Sequence, residues 1–586
     1  MPLDSETVLR YVLPYMASLI AKAKGNKRYY YVVESARVNG QPRIVDQIYL
    51  GTAERVAALV KDRTAPLPLS ATLREFGLPG ALWLAAQRTG IVDVLMAMWP
   101  PGRSGPSAAH YLLLAAIHRI CQPGPKTEVA DWYRHSILAA VWGVPPERFT
   151  SQAFWDCFER LVPEALSDED AAAAPLNEVQ QRLIALWRTQ QRVSPRLLAY
   201  DTTNFYTYFA TTNTRSKLAQ RGHNKQGRHN LRQIGLSFVL DGEHGLSLCH
   251  RLYRGDTPDV AELGMTVQRV GHLLDQHQIL RHSVTLVMDK GAAALANTAL
   301  LTESGLGWIC ALPWTQAPAD VRERPVEELA ACRPPGVRAV AERRLVHGAE
   351  YLCVVKYSAS FASEQLQSVT TSVSKIVQAL RRFAVELGKP QARFTEEQIH
   401  QKIKRWLAVP FVSELIHYTL EEREGRWHLQ FLFDHAALLH LLAQRFGRTV
   451  LLTNRLDWTA EQIISAYDGQ QQIEQVFRGL KDGDWLGWGP MHHWTDSKIR
   501  IHAFYCMLGI TLLQTIHREA QAAWAGLSME RLLEELHRIQ QVVLLYPPQG
   551  ETGPARTATV LSTQTLPQQA LVKTLALDQL QQTSRR

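Results

Sequence analysis

The order of the apolar segments between residues 196 and 312 constrains the fold more than any other feature of the chain. The segments RLLAYDTTNFYTYF and RQIGLSFVLDGEHGLSLCHRLYRGD predict three consecutive strands, because the second folds back at its DGEHG turn. A helical segment at about 257–277 leads to SVTLVMDKGAAALANTALLTESGLGWICALP, which predicts strand, turn, helix and strand. This order predicts an α/β fold in which a mixed sheet is flanked by helices.

The rest of the 586-residue chain divides around this core, and at this length about three or four domains are expected. Residues 315–447 interrupt the core with strands and helices of their own, which predicts an inserted α+β domain. The predicted divisions are an N-terminal hairpin region at 1–70, a mainly helical region at 71–192, the first part of the core at 193–314, the insertion at 315–447, the second part of the core with C-terminal helices at 448–545, and a tail at 546–586.

Both ends of the chain carry recognisable local patterns. Residues 28–50 predict two strands around Asn39-Gly40, because this dipeptide is the strongest short hairpin signal. The tail is rich in Gln, Thr and Leu, and its composition predicts partial disorder.

Two amphipathic segments in the helical region, 126–143 and 150–162, are compatible with two readings. They suit a DNA-reading helix-turn-helix with Arg148 and Arg160 near the reading surface. An ordinary pair of packed helices is the simpler interpretation, and the sequence leaves both open.

Composition bounds the class of protein. A net charge of +9 and a pI near 9.1 are compatible with a polyanionic partner without requiring one. Seven scattered cysteines without a CxxC pair argue against a disulfide framework or a zinc cluster, and favour a reducing cytoplasm. The longest apolar run, Phe504 to Leu513, is far shorter than the roughly 18 residues of a membrane span, and the N-terminus lacks a secretory pattern. We therefore expect a soluble cytoplasmic protein without a membrane partner.

Two strand-like segments contain an aspartate where an apolar residue is expected. Asp201 interrupts the run that begins at Leu197, although strands disfavour Asp and burying an unpaired carboxylate costs several kcal/mol. Asp289 ends the run from Val284 to Met288 and precedes a Lys-Gly turn, which would aim it into a crevice. Asp289 taken alone is explained equally well as a cap of the following helix.

A third carboxylate lies on a later helix. Thr459 and Gln462 form a capping box, and Gly469 is expected to break or kink the helix. In the second part, the buried stripe is predicted to consist of Ile473, Val476, Phe477 and Leu480. Glu474 borders this stripe, with Lys481 about two turns further on. A solvated Glu–Lys face is the usual explanation of such a pair, so this motif is weak alone.

The three carboxylates together suit phosphodiester chemistry. Two metal ions about 3.5–4 Å apart, held by two or three carboxylates, activate the attacking oxygen and stabilise the leaving oxygen. Mg²⁺ prefers oxygen ligands in near-octahedral geometry, with Mn²⁺ as a substitute. Asp201, Asp289 and Glu474 are therefore the predicted catalytic residues and the predicted ligands of two Mg²⁺ ions.

The order of these residues on this strand pattern resembles the DDE transposases of bacterial insertion sequences. More narrowly, the chain resembles the insertion-sequence-four superfamily and its sixteen-thirty-four-like branch. The superfamily signature is Tyr, two residues, Arg, three residues, Glu, six residues, Lys. Tyr467, Gln470, Glu474 and Lys481 stand at this spacing, with Gln470 in the place of Arg. The segments YDTTNFYTYF, YRGDTPD, VMDKGAAALAN and MHHWTDSKIRIHAFYCMLGI also resemble the family.

The resemblance implies a ribonuclease H-like catalytic core and cut-and-paste DNA transposition. The protein would bind the inverted-repeat ends of its element, cleave a strand to free a 3′-hydroxyl, and join that hydroxyl to target DNA. Double-stranded DNA is then the partner, and a homodimer or larger synaptic assembly holds the two ends. The implied location is the bacterial cytoplasm, with nucleoid association when DNA is bound.

Basic residues supply the predicted DNA contacts. The stretch from Arg215 to Arg232 carries six Lys or Arg and no acid, so Lys225 and Arg228 are expected to contact phosphates, although a solvated loop is the default reading. The resemblance implies that Lys481 contacts a phosphate and Tyr467 the processed end. Gln470 lacks the charge of Arg but can hydrogen-bond DNA. The remaining predicted DNA contact on this helix is Arg478.

Three further residues are candidates for DNA contacts, and two other functions stay open. Trp308 is either a base-stacking residue or, more simply, a core tryptophan. His502 and Arg500 are candidates for positioning DNA, and a structural role is an equally good explanation of His502. Gln470 leaves room for a transposase-derived protein that binds DNA ends without cutting them. A metal-dependent nuclease without strand transfer would use the same three carboxylates.

Overall fold

A computed structural model of the chain describes residues 16–25, 27–38, 41–61, 68–102, 105–164, 169–190, 195–210, 212–222, 228, 230–289, 295–483, 485–489, 491–547 and 556–583. The chain falls into two compact units. One comprises Met1–Arg74 and Gln541–Ser562, and the other comprises Glu75–Gln540 and Thr563–Ser584.

The strands are β1 Met16–Lys24, β2 Lys27–Val38, β3 Gln41–Thr52, β4 Ser70–Glu75, β5 Leu197–Tyr206, β6 Gln233–Asp241, β7 Ser247–Arg254, β8 Thr285–Met288, β9 Gly307–Ala311, β10 Ala330–Cys332, β11 Val337–Val346, β12 Ala349–Ser358, β13 Ile416–Arg423, β14 Arg426–Phe433, β15 Arg448–Thr453, β16 Gln540–Tyr546 and β17 Arg556–Leu561.

The helices are α1 Ala53–Lys61, α2 Gly77–Arg88, α3 Ile91–Met98, α4 Ala108–Cys121, α5 Val129–Arg134, α6 Ile137–Trp142, α7 Ser151–Leu161, α8 Glu169–Gln190, α9 Asp259–Gln276, α10 Leu295–Glu303, α11 Ala319–Arg322, α12 Ala359–Leu387, α13 Glu396–Leu407, α14 Val412–Leu415, α15 His435–Gln444, α16 Ala460–Asp468, α17 Gln471–Asp482, α18 Asp496–Ala523, α19 Met529–His537, α20 Leu566–Thr574 and α21 Asp578–Thr583.

The smaller unit contains two antiparallel sheets. The strands predicted at 28–50 are confirmed as β2 and β3, which pair Val32 with Ile48, while Asn39 and Gly40 lie outside the described residues. Strand β1, which the sequence analysis missed, adds to β2. The second sheet has the order β17-β16-β4. Strand β16 lies in the middle, between β4 and the tail strand β17.

The described part of the tail forms regular structure, and the expectation of partial disorder remains a prediction for the rest of the tail, which lies outside the described residues. Residues 556–583 form β17, α20 and α21. Leu571, Leu575 and Leu577 are at most 1% exposed. The many Gln and Thr residues of the tail hid these leucines, because composition averages over residues that point inward and outward.

A nine-stranded mixed sheet forms the centre of the larger unit, in the order β10-β11-β12-β15-β9-β8-β5-β6-β7. Strands β5, β6 and β7 form an antiparallel meander, and β8 and β9 join β5 in parallel. Helix α9 connects β7 to β8, and α10 connects β8 to β9. The predicted mixed sheet with flanking helices is therefore confirmed. The predicted succession of strands and helices along the chain, from β5 to β9, is confirmed as well.

Helix α16 covers one face of this sheet. Its Ile463 and Ile464 pack with Val287 of β8, Ile309 of β9 and Leu451 of β15 in one buried cluster. This cluster packs α16 over the parallel strands. The residues that follow α16 therefore begin on the same face of the sheet.

The segment predicted as an insertion has two parts. Strands β10, β11 and β12, within residues 330–358, hydrogen-bond onto the main sheet through β15. The later part, 359–447, lies off that sheet and has its own cluster, in which Leu380 and Phe383 of α12 pack with Ile399 and Ile403 of α13. The division at residue 315 remains a prediction, and the strand pairing places the change of layer after β12.

The helical region packs around aromatic side chains. Tyr133, Phe149 and Phe154 are fully buried and form edge-on ring contacts with their neighbours. The two segments with the possible helix-turn-helix reading meet in this aromatic core, while Arg148 and Arg160 are exposed. The packing is that of an ordinary helical pair, and DNA reading by this region remains a prediction.

Helix α18 is a core helix. It is 28 residues long and contains a window of 18 residues with a mean hydropathy of 1.3, which is longer than the apolar run noted in the sequence. By length and composition it passes the test for a membrane span, but 89% of that window is buried inside the protein. The helix packs against α4 and β7.

Candidate active site

The first two carboxylates lie next to each other because of the register between β5 and β8. This parallel pair matches Leu197 with Thr285 and Ala199 with Val287. Continued by two residues, the same offset sets Asp201 opposite Asp289. Neighbouring strands lie about 4.8 Å apart, and residues in register point to the same face. The two aspartates therefore share the face covered by α16.

The two aspartates differ in their surroundings. Asp289 is exposed at the end of β8. Asp201 lies midway along the longer β5 and is only half-buried, and its Oδ1 accepts a hydrogen bond of 2.7 Å from the Thr202 backbone N–H. The sequence analysis placed Asp201 in a buried strand, so the cost of its charge is lower than expected there.

Helix α17 brings Glu474 to the same region. The predicted break at Gly469 is confirmed, because α16 ends at Asp468 and α17 begins at Gln471. Phe477 packs at 6.0 Å between ring centroids on Phe238, which is the cross-strand partner of Asp201. Glu474 lies one turn before Phe477 and is exposed.

The predicted buried stripe of α17 and the cap of α16 are also confirmed. The exposed fraction is 0 to 5% for Ile473, Val476, Phe477 and Leu480. The side chain of Thr459 accepts from the Gln462 N–H, and the Gln462 side chain accepts from the Thr459 N–H. These local signals were readable because each depends on residues within one or two turns.

Tyr467 connects the strand carboxylates with the helix carboxylate. Its half-buried side chain borders the cluster under α16. Burial, followed by the charges of Asp289 and Glu474, raises the pKa of Tyr467 well above its ordinary value. The tyrosine hydroxyl is therefore within electrostatic range of both carboxylates and stays protonated at neutral pH.

The donor chemistry of this region fits a hard divalent cation. Asp201, Asp289 and Glu474 offer only oxygen ligands, as Mg²⁺ prefers. Burial, and to a smaller extent the Asp289 charge, raises the pKa of the nearby Cys310 to about 12, so it does not offer a thiolate. Among the residues that the structure describes, no group of three or more His, Cys, Asp or Glu side chains lies close enough to hold a metal ion. The three carboxylates thus share a region without forming a closed ligand cage.

A cavity of about 460 Å³ extends from Asp289 and Tyr467 toward the insertion. In it, Lys356 of β12 forms an ion pair with Asp468, with Nζ 2.5 Å from Oδ1 and 2.7 Å from Oδ2. Arg445 also lines the cavity, stacked on Phe411. The sequence analysis missed these residues, because no short-range pattern indicates that β12 and the helix after β14 face Asp289.

The predicted DNA-binding residues have different surroundings. Lys481 and Arg478 are exposed on α17. Arg228 is exposed, with its guanidinium 5.5 Å from the ring centroid of Tyr206 at the end of β5. Lys225 lies outside the described residues.

Gln470 is the least accessible of the signature positions. It is 3% exposed at the junction of α16 and α17. Its amide nitrogen is buried without a hydrogen-bond partner among the described residues. A hydrogen bond from Gln470 to DNA remains a prediction, and it would require this junction to open.

Two residues with an open reading are structural. Trp308 is fully buried and packs edge-on against Tyr351 with ring centroids 5.1 Å apart. His502 is fully buried between the Tyr505 hydroxyl, at 2.6 Å, and the Trp488 carbonyl, at 3.0 Å. The core reading is therefore confirmed for both.

Fold and geometry define an α/β protein with two aspartates in register on parallel strands and a glutamate on a helix above them. Residues 193–512 match the family model described as "Transposase DDE domain". This match covers more than half of the chain. The chain belongs to this family of transposases.

Two solved structures are remotely similar to the chain. One is the cryo-EM structure of a piggyBac transposase synaptic complex with hairpin DNA, with 10% identity, a TM-score of 0.36, and coverage of 79% of this chain and 78% of that chain. The other is a Mos1 transposase paired-end complex with left transposon end, with 12% identity, a TM-score of 0.15, and coverage of 38% and 64%. No curated protein matches the chain.

Proposed function

We propose that the protein is a DDE transposase of a bacterial insertion sequence, of the insertion-sequence-four superfamily and its sixteen-thirty-four-like branch. It binds the inverted-repeat ends of its element, hydrolyses a phosphodiester bond to free a 3′-hydroxyl, and joins that hydroxyl to a target phosphate. The observation that carries this proposal is the register that sets Asp201 opposite Asp289. The packing of the Glu474 helix beside Asp201 supports it.

The strand order supports a ribonuclease H-like core. Five strands follow the order β7-β6-β5-β8-β9, in which an antiparallel meander leads into two parallel strands through helical connections. The aspartates lie on the first and fourth of these strands in chain order. We assign the remaining strands, β10 to β12 and β15, to an extension of this core.

The residues have separate roles in the proposed reaction. Asp201, Asp289 and Glu474 hold the metal ions. Mg²⁺, when bound there, supplies activation of the attacking oxygen and stabilisation of the leaving oxygen. Tyr467, near the end of α16, keeps its proton and donates a hydrogen bond to a DNA phosphate, and Lys481 of α17 neutralises a second phosphate.

The proposal includes an assembly and a location. Two transposon ends must be held together for cut-and-paste transposition, so the working form is a dimer or larger complex on DNA. The net charge of +9 suits double-stranded DNA as the partner. The location we propose is the bacterial cytoplasm, with the protein on the nucleoid when bound.

The test is a cleavage assay with DNA that carries the element's own end. We expect a nick at the element boundary that requires Mg²⁺ or Mn²⁺, disappears with EDTA, and disappears in Asp201→Asn. Asp275→Asn is the matched control, because that exposed carboxylate of α9 pairs with Arg281, away from the candidate site. Retained cleavage in Asp201→Asn would contradict the assigned site.

Two other outcomes separate the alternatives. End binding without any nick in either metal would identify a transposase-derived protein that no longer cuts. A nick without strand transfer from a pre-cleaved end would identify a metal-dependent nuclease.

A further inference from the structure

One carboxylate outside the candidate site holds the chain segment that follows β5. Asp496 is the first residue of α18, and its side chain accepts three hydrogen bonds from consecutive residues. Oδ1 accepts from the Ser216 hydroxyl at 2.7 Å and from the Leu218 N–H at 3.2 Å. Oδ2 accepts from the Lys217 N–H at 3.0 Å. Both carboxylate oxygens of Asp496 therefore accept hydrogen bonds from a segment that is far from it in the sequence.

The dipole of α18 does not account for this arrangement. An aspartate in the first turn of a helix is ordinarily explained by its favourable interaction with the helix N-terminus. Here the carboxylate accepts from two backbone N–H groups and a hydroxyl of residues 216–218. The geometry is that of a clamp between α18 and the segment 213–221.

Asn213 fixes the beginning of the same segment. Its Oδ1 accepts from the Arg215 N–H at 2.7 Å, and its Nδ2 donates to the Trp494 carbonyl at 3.1 Å. The Arg215 guanidinium lies 4.5 Å from the ring centroid of Trp494. This end of the segment is therefore held against the residues that lead into α18.

The far end of the segment is fixed by the main sheet. Gln220 and Gln233 exchange two backbone hydrogen bonds of 3.0 and 2.8 Å. Between the two fixed ends, the side chains of Lys217 and Arg221 are exposed. Within the described part of the chain no hydrogen bond or ion pair is recorded for either side chain. The backbone that carries these two cations is thus held beside the end of the strand that contains Asp201.

We propose that Asp496 is a positioning residue that holds the segment 213–221 so that Lys217 and Arg221 contact DNA phosphates. This inference rests on the proposed function, because it assumes DNA at the end of β5. It gives an acidic residue a role in binding a polyanion. Charge alone predicts the opposite, since removing a negative charge near DNA should tighten binding.

The experiment compares DNA affinity in variants that change charge and geometry separately. Binding of a labelled DNA end is measured by fluorescence anisotropy over a series of salt concentrations in the full-length protein. For Asp496→Asn we expect about a tenfold weaker affinity and a salt slope smaller by roughly one to two, because phosphate contacts are lost. Asp256→Asn is the matched control. Its exposed carboxylate, just after β7, pairs with Arg254 at the end of that strand, so affinity should stay unchanged or rise.

A double-mutant cycle distinguishes positioning from a general loss of structure. Lys217→Ala should weaken binding in the wild-type background and have little further effect in the Asp496→Asn background, because residues that act together are not additive. Ser216→Ala removes the hydroxyl bond to Asp496 and leaves the carboxylate in place. It should give a smaller effect in the same direction, and it is the variant to use if Asp496→Asn does not fold.

The outcomes separate this inference from the proposed function. If wild-type protein binds the DNA end with a steep salt dependence but Asp496→Asn binds equally well or better, the clamp is refuted and the proposed function stands. Additive effects of Asp496→Asn and Lys217→Ala would also refute the clamp. Wild-type protein without salt-dependent end binding would overturn the proposed function itself.

Discussion

At the scale of single residues, the candidate site keeps its charges where solvation does not oppose them strongly. Asp289 and Glu474 are exposed, and Asp201 is half-buried with a backbone N–H donor to its carboxylate. A carboxylate that keeps contact with water or accepts a hydrogen bond does not carry the full cost of a buried charge. All three carboxylates of the candidate site therefore keep contact with solvent.

We expect Asp289→Asn to abolish cleavage while DNA-end binding persists. The side chain is exposed at the end of β8, so the free energy of unfolding should change by less than about 0.5 kcal/mol. Cleavage assays, end binding and thermal unfolding on the same preparation check this expectation. Loss of binding together with cleavage would assign Asp289 a role in folding.

At the scale of elements, features that depend on neighbouring residues could be predicted from the sequence, whereas the pairing of distant strands could not. The order of strands and helices around Asp201, the cap at Thr459 and the break at Gly469 all depend on nearby residues, and the structure confirms them. The register that brings Asp201 opposite Asp289 depends on which strands pair, and no local pattern specifies that choice. Pairing of β10 to β12 with the main sheet was hidden for the same reason.

The cavity residues illustrate the same limit. Lys356 reads as an ordinary charged residue at the end of a strand, and Asp468 as one near the end of a helix. Only the fold makes them an ion pair beside Tyr467. The three signature positions that match the family, Tyr467, Glu474 and Lys481, could be found from spacing, because they lie in one short stretch of sequence that forms α16 and α17.

Phe477→Ala should disturb the position of Glu474 more than any exposed change on α17. Phe477 is 5% exposed and packs on Phe238, so its truncation is expected to cost about 3–5 kcal/mol. Cleavage should fall more strongly than DNA binding, because the helix loses its anchor beside Asp201. Chemical denaturation and the nicking assay measure the two effects. Phe477→Leu, which keeps most of the volume, should lose less of both, and equal losses would contradict an anchoring role.

At the scale of the whole molecule, a buried polar cluster lies where the helical region packs on α18. His118 is fully buried, and neither ring nitrogen has a hydrogen-bond partner among the described residues. Burial lowers the pKa of His118 and of His493 to about 3, and lowers the pKa of Lys126 to about 7. Lys126 also interacts with Tyr505, its ammonium lying 4.7 Å from the ring centroid. In the folded protein at neutral pH, His118 and His493 are therefore uncharged and Lys126 is only partly charged.

This cluster predicts that acid destabilises the protein. The folded pKa values of His118 and His493 lie below the ordinary 6.5, so the unfolded chain binds more protons between about pH 3 and 6.5. Stability from these groups is present above pH 6.5 and is lost as pH falls through that window. Denaturant unfolding at a series of pH values from 7 to 4 should show a falling free energy of unfolding.

His118→Leu tests whether this histidine contributes to the acid sensitivity. Removing a buried imidazole that has no hydrogen-bond partner within the described part of the chain should stabilise the protein by about 1 kcal/mol at neutral pH and make the loss of stability in acid shallower. An unchanged pH dependence would mean that carboxylates elsewhere account for the whole effect.

The three carboxylates of the candidate site lie far apart in the sequence, and this separation has a consequence for protein synthesis. A ribosome that has made the chain as far as β9 has completed the parallel strands with Asp201 and Asp289, but Glu474 and its helix come only after a further long stretch. The clamp at Asp496 follows later still. A truncated or half-translated copy that ends before α17 therefore lacks the glutamate of the candidate site, and under the proposed function we expect such a copy not to cleave DNA.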